Sequence, residues 1–109
     1  MLVYYAARSK ARLETVCKAL QTAFDLPSFP FKSHDDWRWG RSQGDDLALK
    51  VTRAKCRTIE TWMPGCPQGV SYQIILTTEC EPEDFASRLA EILGCEVIRY
   101  ASRNLQNGT

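Results

Sequence analysis

The chain has 109 residues, 44% hydrophobic and 25% charged, with a formal net charge of +1. That length suits one domain around one core and leaves no room for a catalytic domain plus a regulatory one, and the balance is that of a globular chain rather than a disordered or coiled-coil one. A charge this close to zero sets up no global field, so any nucleic-acid role has to rest on a local patch.

The opening "LVYYAA" is a β-branched and aromatic run that predicts a strand over Leu2 to Ala6, buried on both faces. A helix follows, with Ser9 placed to cap it. Leu13, Val16, Cys17, Leu20 and Phe24 recur at the spacing that gathers them on one face, while Arg12, Glu14, Lys18 and Gln21 fall on the other. Pro27 stops the helix, and "DLPSFPFK" reads as a loop.

The middle reads as β structure. "DWRWGR" and "LALKVTR" alternate around the turn material "SQGDD" and predict a hairpin. "RTIETWM" and "VSYQIILTT" predict a second pair, joined by the proline- and glycine-rich "PGCPQG". The unbroken apolar run from Ile74 to Leu76 marks a strand in the centre of a sheet. Pro82, Glu83 and Asp84 suit the first turn of a second helix whose apolar face is Phe85, Leu89, Ile92 and Leu93, ended by Gly94. "CEVIRY" is a closing strand, and residues 100–109 form a polar tail expected to fray.

The order is βαββββαβ over residues 1–109 as a single domain. It predicts an α+β two-layer sandwich: a mostly antiparallel sheet of five to six strands with two helices on one face, a variant of the ferredoxin-like arrangement. The sheet's other face then needs a cover, and exposed aromatic residues there signal a dimer or a partner.

Five cysteines at wide spacings, an odd number with no C-x-x-C, and a single histidine suggest neither a disulfide framework nor a zinc site. Reduced thiols in a cytoplasm fit best, and no stretch reaches the length of a membrane span. Cys66, between Gly65 and Pro67, is the one candidate nucleophile, yet the sequence supplies no local cation or base to activate it. "SHDDW" gathers His34, Asp35 and Asp36, the ingredients of an acid/base or hard-metal site, but equally of a solvated acidic edge. No metal, cofactor or catalytic residue is expected, and no phosphate loop or hydrolase motif occurs.

Three functions remain open. In the first, Trp62, Met63 and Cys66, rimmed by Asp35, Asp36, Asp45 and Asp46, contact a protein partner or a second copy of the chain, since interface cores favour aromatic residues and Met. In the second, Trp37, Trp39, Arg38, Arg41, Lys50 and Arg53 share one sheet face and bind single-stranded nucleic acid by stacking and phosphate contact, although Trp37 and Trp39 equally suit a core. In the third, Cys66 centres a small-molecule site or thiol enzyme.

The strand–helix start, "DDWRWG", the Trp–Pro–Gly loop and the terminal "RLAEILGCEVIRY" together resemble the small α+β proteins of bacterial mobile gene cassettes, including immunity-type proteins that neutralise toxins. The resemblance lies in size, element order and tryptophan placement. It implies a bacterial, non-enzymatic protein that acts by binding, and it carries over no functional residue.

Overall fold

The computed structural model describes residues 1–34, 37–53, 65–67 and 69–104. Among them run β1 (Leu2–Arg8), α1 (Leu13–Phe24), β2 (Phe31–His34), β3 (Trp37–Gln43), β4 (Leu47–Arg53), β5 (Tyr72–Thr78), α2 (Phe85–Leu93) and β6 (Glu96–Arg103). The six strands form one sheet in the order β2-β3-β4-β5-β1-β6, antiparallel at every pairing. This is the expected α+β fold.

Alternation along the strands separates the two faces. Val3, Tyr5 and Ala7 of β1, Leu49 and Val51 of β4, and Tyr72, Ile74 and Leu76 of β5 form one continuous core with Leu13, Val16, Cys17 and Leu20 of α1 and Phe85 and Leu89 of α2. Both helices therefore cover the same face. Each fully buried aliphatic side chain in this layer is worth about 1.5–3 kcal/mol of transfer free energy. The Phe85 ring packs 5.6 Å from Tyr5 and 5.3 Å from Phe24, centroid to centroid, which ties α2 to both the sheet and α1.

The strand at the amino terminus sits inside the sheet, between β5 and β6, which explains why it is buried on both faces. Because β5 and β6 are both antiparallel to β1, they run parallel to each other, and β5–α2–β6 is a strand–helix–strand unit split by β1. The run Ile74 to Leu76 is central, as its composition implies.

Local details depart from expectation at the element ends. Ser9 does not cap α1; its Oγ accepts the Ala11 N–H at 3.1 Å, and Arg12 stands at the N-cap with no side-chain hydrogen bond. The helix ends at Phe24, before Pro27, through Asp25 in a left-handed conformation with φ 52°. Pro82 and Glu83 precede α2 rather than opening it, and Asp84 is its N-cap, again left-handed. Part of the segment read as a loop is β2, an edge strand that pairs Phe31 with Gly40 and Lys32 with Trp39. The closing strand continues through Tyr100 to Arg103, so the first residues of the expected tail are sheet. The strand expected over "RTIETWM" lies outside the described residues.

Candidate binding face

The face away from the helices is built by the other half of each alternation. Lys32 of β2, Trp39 and Arg41 of β3, Ala48, Lys50 and Thr52 of β4, and Gln73, Ile75 and Thr77 of β5 occupy it, continued by Leu2, Tyr4, Ala6 and Arg8 of β1.

Near β1 and β6 this face is closed. Val70 and Ala6 are fully buried against each other, with Cys66 and Tyr100 packed on them, and the Ser71 N–H bonds the Ala7 carbonyl at 3.1 Å. Gln73 donates to the Tyr100 hydroxyl at 2.8 Å, and Tyr4 meets the Tyr100 ring edge-on at 6.2 Å. Burial pushes the Tyr100 hydroxyl up to about 12, so it stays protonated at neutral pH and keeps its hydrogen-bonding role. Cys66 is thus half-buried in a small apolar cluster and not on an open turn.

Toward β2, β3 and β4 the character changes. Trp39 is half-buried and lies between Lys32 and Thr52 in register, with the Lys50 ammonium 5.7 Å from its ring. Arg41 stands directly opposite Lys50. Like charges facing each other across a rung destabilise a sheet, and among the described residues no carboxylate pairs with either. Among the described residues the Arg41 guanidinium donates to the Gln43 amide oxygen alone, at 3.5 Å.

The opposite face carries the same kind of rung, Arg38 against Arg53, but there it is compensated. Arg38 reaches the Glu14 carboxylate of α1 at 3.3 Å and sits 5.9 Å from the Phe31 ring, while Arg53 sits 5.7 Å from the Tyr72 ring. The six residues expected on one nucleic-acid face are therefore divided: Trp39, Arg41 and Lys50 share a face, and Arg38 and Arg53 lie behind it. Alternation alone separates them, because Arg38 and Trp39 are neighbours in one strand. Trp37 opens β3. Lys32 joins the patch because its segment is the edge strand β2 and not a loop.

Of the residues expected to meet a protein partner, Asp35, Asp36, Trp62 and Met63 lie outside the described residues. Asp45 and Asp46 are exposed on the β3–β4 turn. With Arg41, Gln43, Thr77 and Glu79 they line a cleft of about 730 Å³ at that end of the sheet. Cys66 precedes the start of β5, which lies beside the end of β4, whereas Asp46 precedes the start of β4. The length of β4 separates them, and they do not form one contact.

Among the described residues no helix is long and apolar enough to cross a membrane. Compared with models of known protein families, with curated proteins and with solved structures, the chain matches none.

Proposed function

We propose that the chain is a non-enzymatic binding protein whose partner is another protein with an acidic contact surface, held on the open sheet face around Trp39, Arg41 and Lys50. The observation that carries this reading is the Arg41–Lys50 rung: two cations held face to face beside a tryptophan, with no carboxylate on either among the described residues. Such an arrangement costs the free protein stability and is offset when an anionic group arrives. Trp and Arg are also the residues that most often anchor interfaces.

The same cations keep single-stranded nucleic acid as a second reading. Two features favour a protein. The Lys50 ammonium lies over the Trp39 ring, where a stacked base would have to sit, and Asp45, Asp46 and Glu79 at the end of the face repel a phosphate backbone running that way. A protein surface of mixed charge fits both ends. The resemblance to immunity-type proteins narrows the role to an immunity or antitoxin-type inhibitor acting in a bacterial cytoplasm.

The test is affinity capture from the source cells on immobilised wild-type protein and on Lys50→Glu in parallel, with anisotropy titration of a labelled single-stranded oligonucleotide at low and high salt. A protein retained by the wild type and lost from the variant is the expected result. Identical retention by both defeats the reading. Oligonucleotide binding that falls steeply with salt and needs Trp39 replaces it with the second.

A further inference from the structure

The sheet ends in two edges of different character. β2 is four residues long, follows Pro27 and Pro30, and carries Lys32, all features that blunt an edge against pairing. β6 has eight residues with neither proline nor lysine, none of them fully buried, and among the described residues it pairs with β1 alone. Its outer row of backbone N–H and C=O groups is a template for another strand.

β6 is also complementary to itself in charge. It begins with Glu96, an exposed carboxylate that also pairs with Arg8 of its own chain, and ends with Arg103. In an antiparallel pair of β6 strands related by a two-fold axis between Arg99 and Tyr100, Glu96 of each copy stands opposite Arg103 of the other, and Ile98 opposite Ala101.

Cross-strand partners must also lie on the same face of the sheet. Glu96 and Arg103 are an odd number of residues apart, so in a regular strand they would lie on opposite faces. The register of β6 shifts at the level of Tyr4 and Tyr5, however: Glu96 and Ile98 oppose Arg8 and Ala6, and Ala101 and Arg103 oppose Tyr4 and Leu2, all on the open face. The bulge therefore puts both charged ends, and both inner residues, on matching faces for self-pairing. The ladder is made by the segments on either side of the bulges, which meet at the axis.

We infer that two copies of this chain associate through β6 into a symmetric dimer with one continuous antiparallel sheet. An isologous contact of this kind closes on itself and uses up both exposed edges. The Trp39 patch belongs to the β2–β3–β4 end of each sheet, so the dimer carries two such patches at its far ends. This inference is independent of the identity of their partner.

The experiment is light scattering over a concentration series to about 1 mM, the range in which weak self-association is visible, on wild type, Arg103→Glu and a swap that combines Arg103→Glu and Glu96→Arg with Arg8→Glu, so that residue 96 keeps an oppositely charged neighbour in its own chain. The wild type dimerises, Arg103→Glu raises the dissociation constant about tenfold or more by replacing two attractions with two repulsions, and the swap restores it. Amide exchange of residues 96–103 in the wild type, slowing as concentration rises, reads the same edge without any substitution. A wild type that stays monomeric throughout, a dimer indifferent to Arg103→Glu, a folded swap that fails to recover, or exchange in β6 that ignores concentration overturns the inference.

Discussion

Glu81 shows how much a single residue's role depends on partners remote in sequence. Its neighbourhood, "ECEPED", looks like a uniformly solvated acidic run. In the fold, the Tyr5 hydroxyl donates to its Oε2 at 2.6 Å and Arg99 Nε reaches both carboxylate oxygens, at 3.1 and 2.9 Å. Arg99 first, with Tyr5 assisting, holds the Glu81 carboxyl below the usual carboxylate range, and this outweighs the opposing effect of partial burial. A carboxyl depressed in the folded state adds stability above its unfolded value of about 4.3, and that stability is lost as pH falls through the lower folded value. Glu81→Gln is therefore expected to cost about 1–2 kcal/mol at pH 7, with the gap to wild type closing in acid. Urea unfolding across pH measures it, and a gap that stays constant with pH contradicts it. Reactivity separates the thiols in the same residue-by-residue way. Burial pushes Cys17 up to about 12, while Cys80 is exposed. A disulfide reagent should label Cys80 in the folded protein and Cys17 only on unfolding; prompt native labelling of Cys17 would disprove that. The burial of Cys17 was legible in the apolar face of the first helix, but the Glu81 cluster was not, because Tyr5, Glu81 and Arg99 are joined by the sheet and not by the chain.

At the scale of elements, ends are set by backbone geometry. α2 closes through Gly94 at φ 65°, whose N–H bonds the Ala90 carbonyl at 2.8 Å. A Cβ placed there meets nothing within 4 Å, so Gly94→Ala isolates the left-handed penalty. It should lower stability by about 1 kcal/mol, or roughly 4–8 °C in Tm, and Gly94→Asn should cost less. Equal losses for Ala and Asn would locate the cost elsewhere. Gly94 as a helix stop was readable from composition, as were the core stripes of both helices and the hairpin of β3 and β4, since each rests on a period or turn signal within a few residues. β2 was not readable: four residues behind two prolines give too short an alternation to stand out, and the strand exists because β3 offers an edge. The starts of both helices were also misplaced. Ser9 suits a cap and Pro82 a first turn by residue type, but α1 begins only at Leu13 and α2 at Phe85.

For the molecule as a whole, composition and element order were enough for the α+β class with both helices on one side, whereas the strand order was not contained in any local pattern. β1 reads as buried on both faces, yet nothing in the chain says that it lies between β5 and β6, and it is alternation within β3 that puts Arg38 and Trp39 on opposite sides of the sheet. That division decides the balance between stability and binding. On the helix side the Arg38–Arg53 rung is relieved by Glu14, so reversing Arg38 would set two carboxylates together. On the open side no carboxylate among the described residues pairs with either cation of the Arg41–Lys50 rung, the nearest acids being Asp45, Asp46 and Glu79 in the cleft that Arg41 also lines. Arg41→Glu turns that rung into an attractive pair and leaves Lys50 over the Trp39 ring. It should raise stability by about 0.2–1 kcal/mol while weakening capture of the acidic partner, a substitution that helps the fold and harms the function. Urea midpoints of the two proteins, read beside the capture experiment, decide it. If Arg41→Glu loses stability, the rung is already balanced in the free protein, and the reason for placing an anionic partner there disappears.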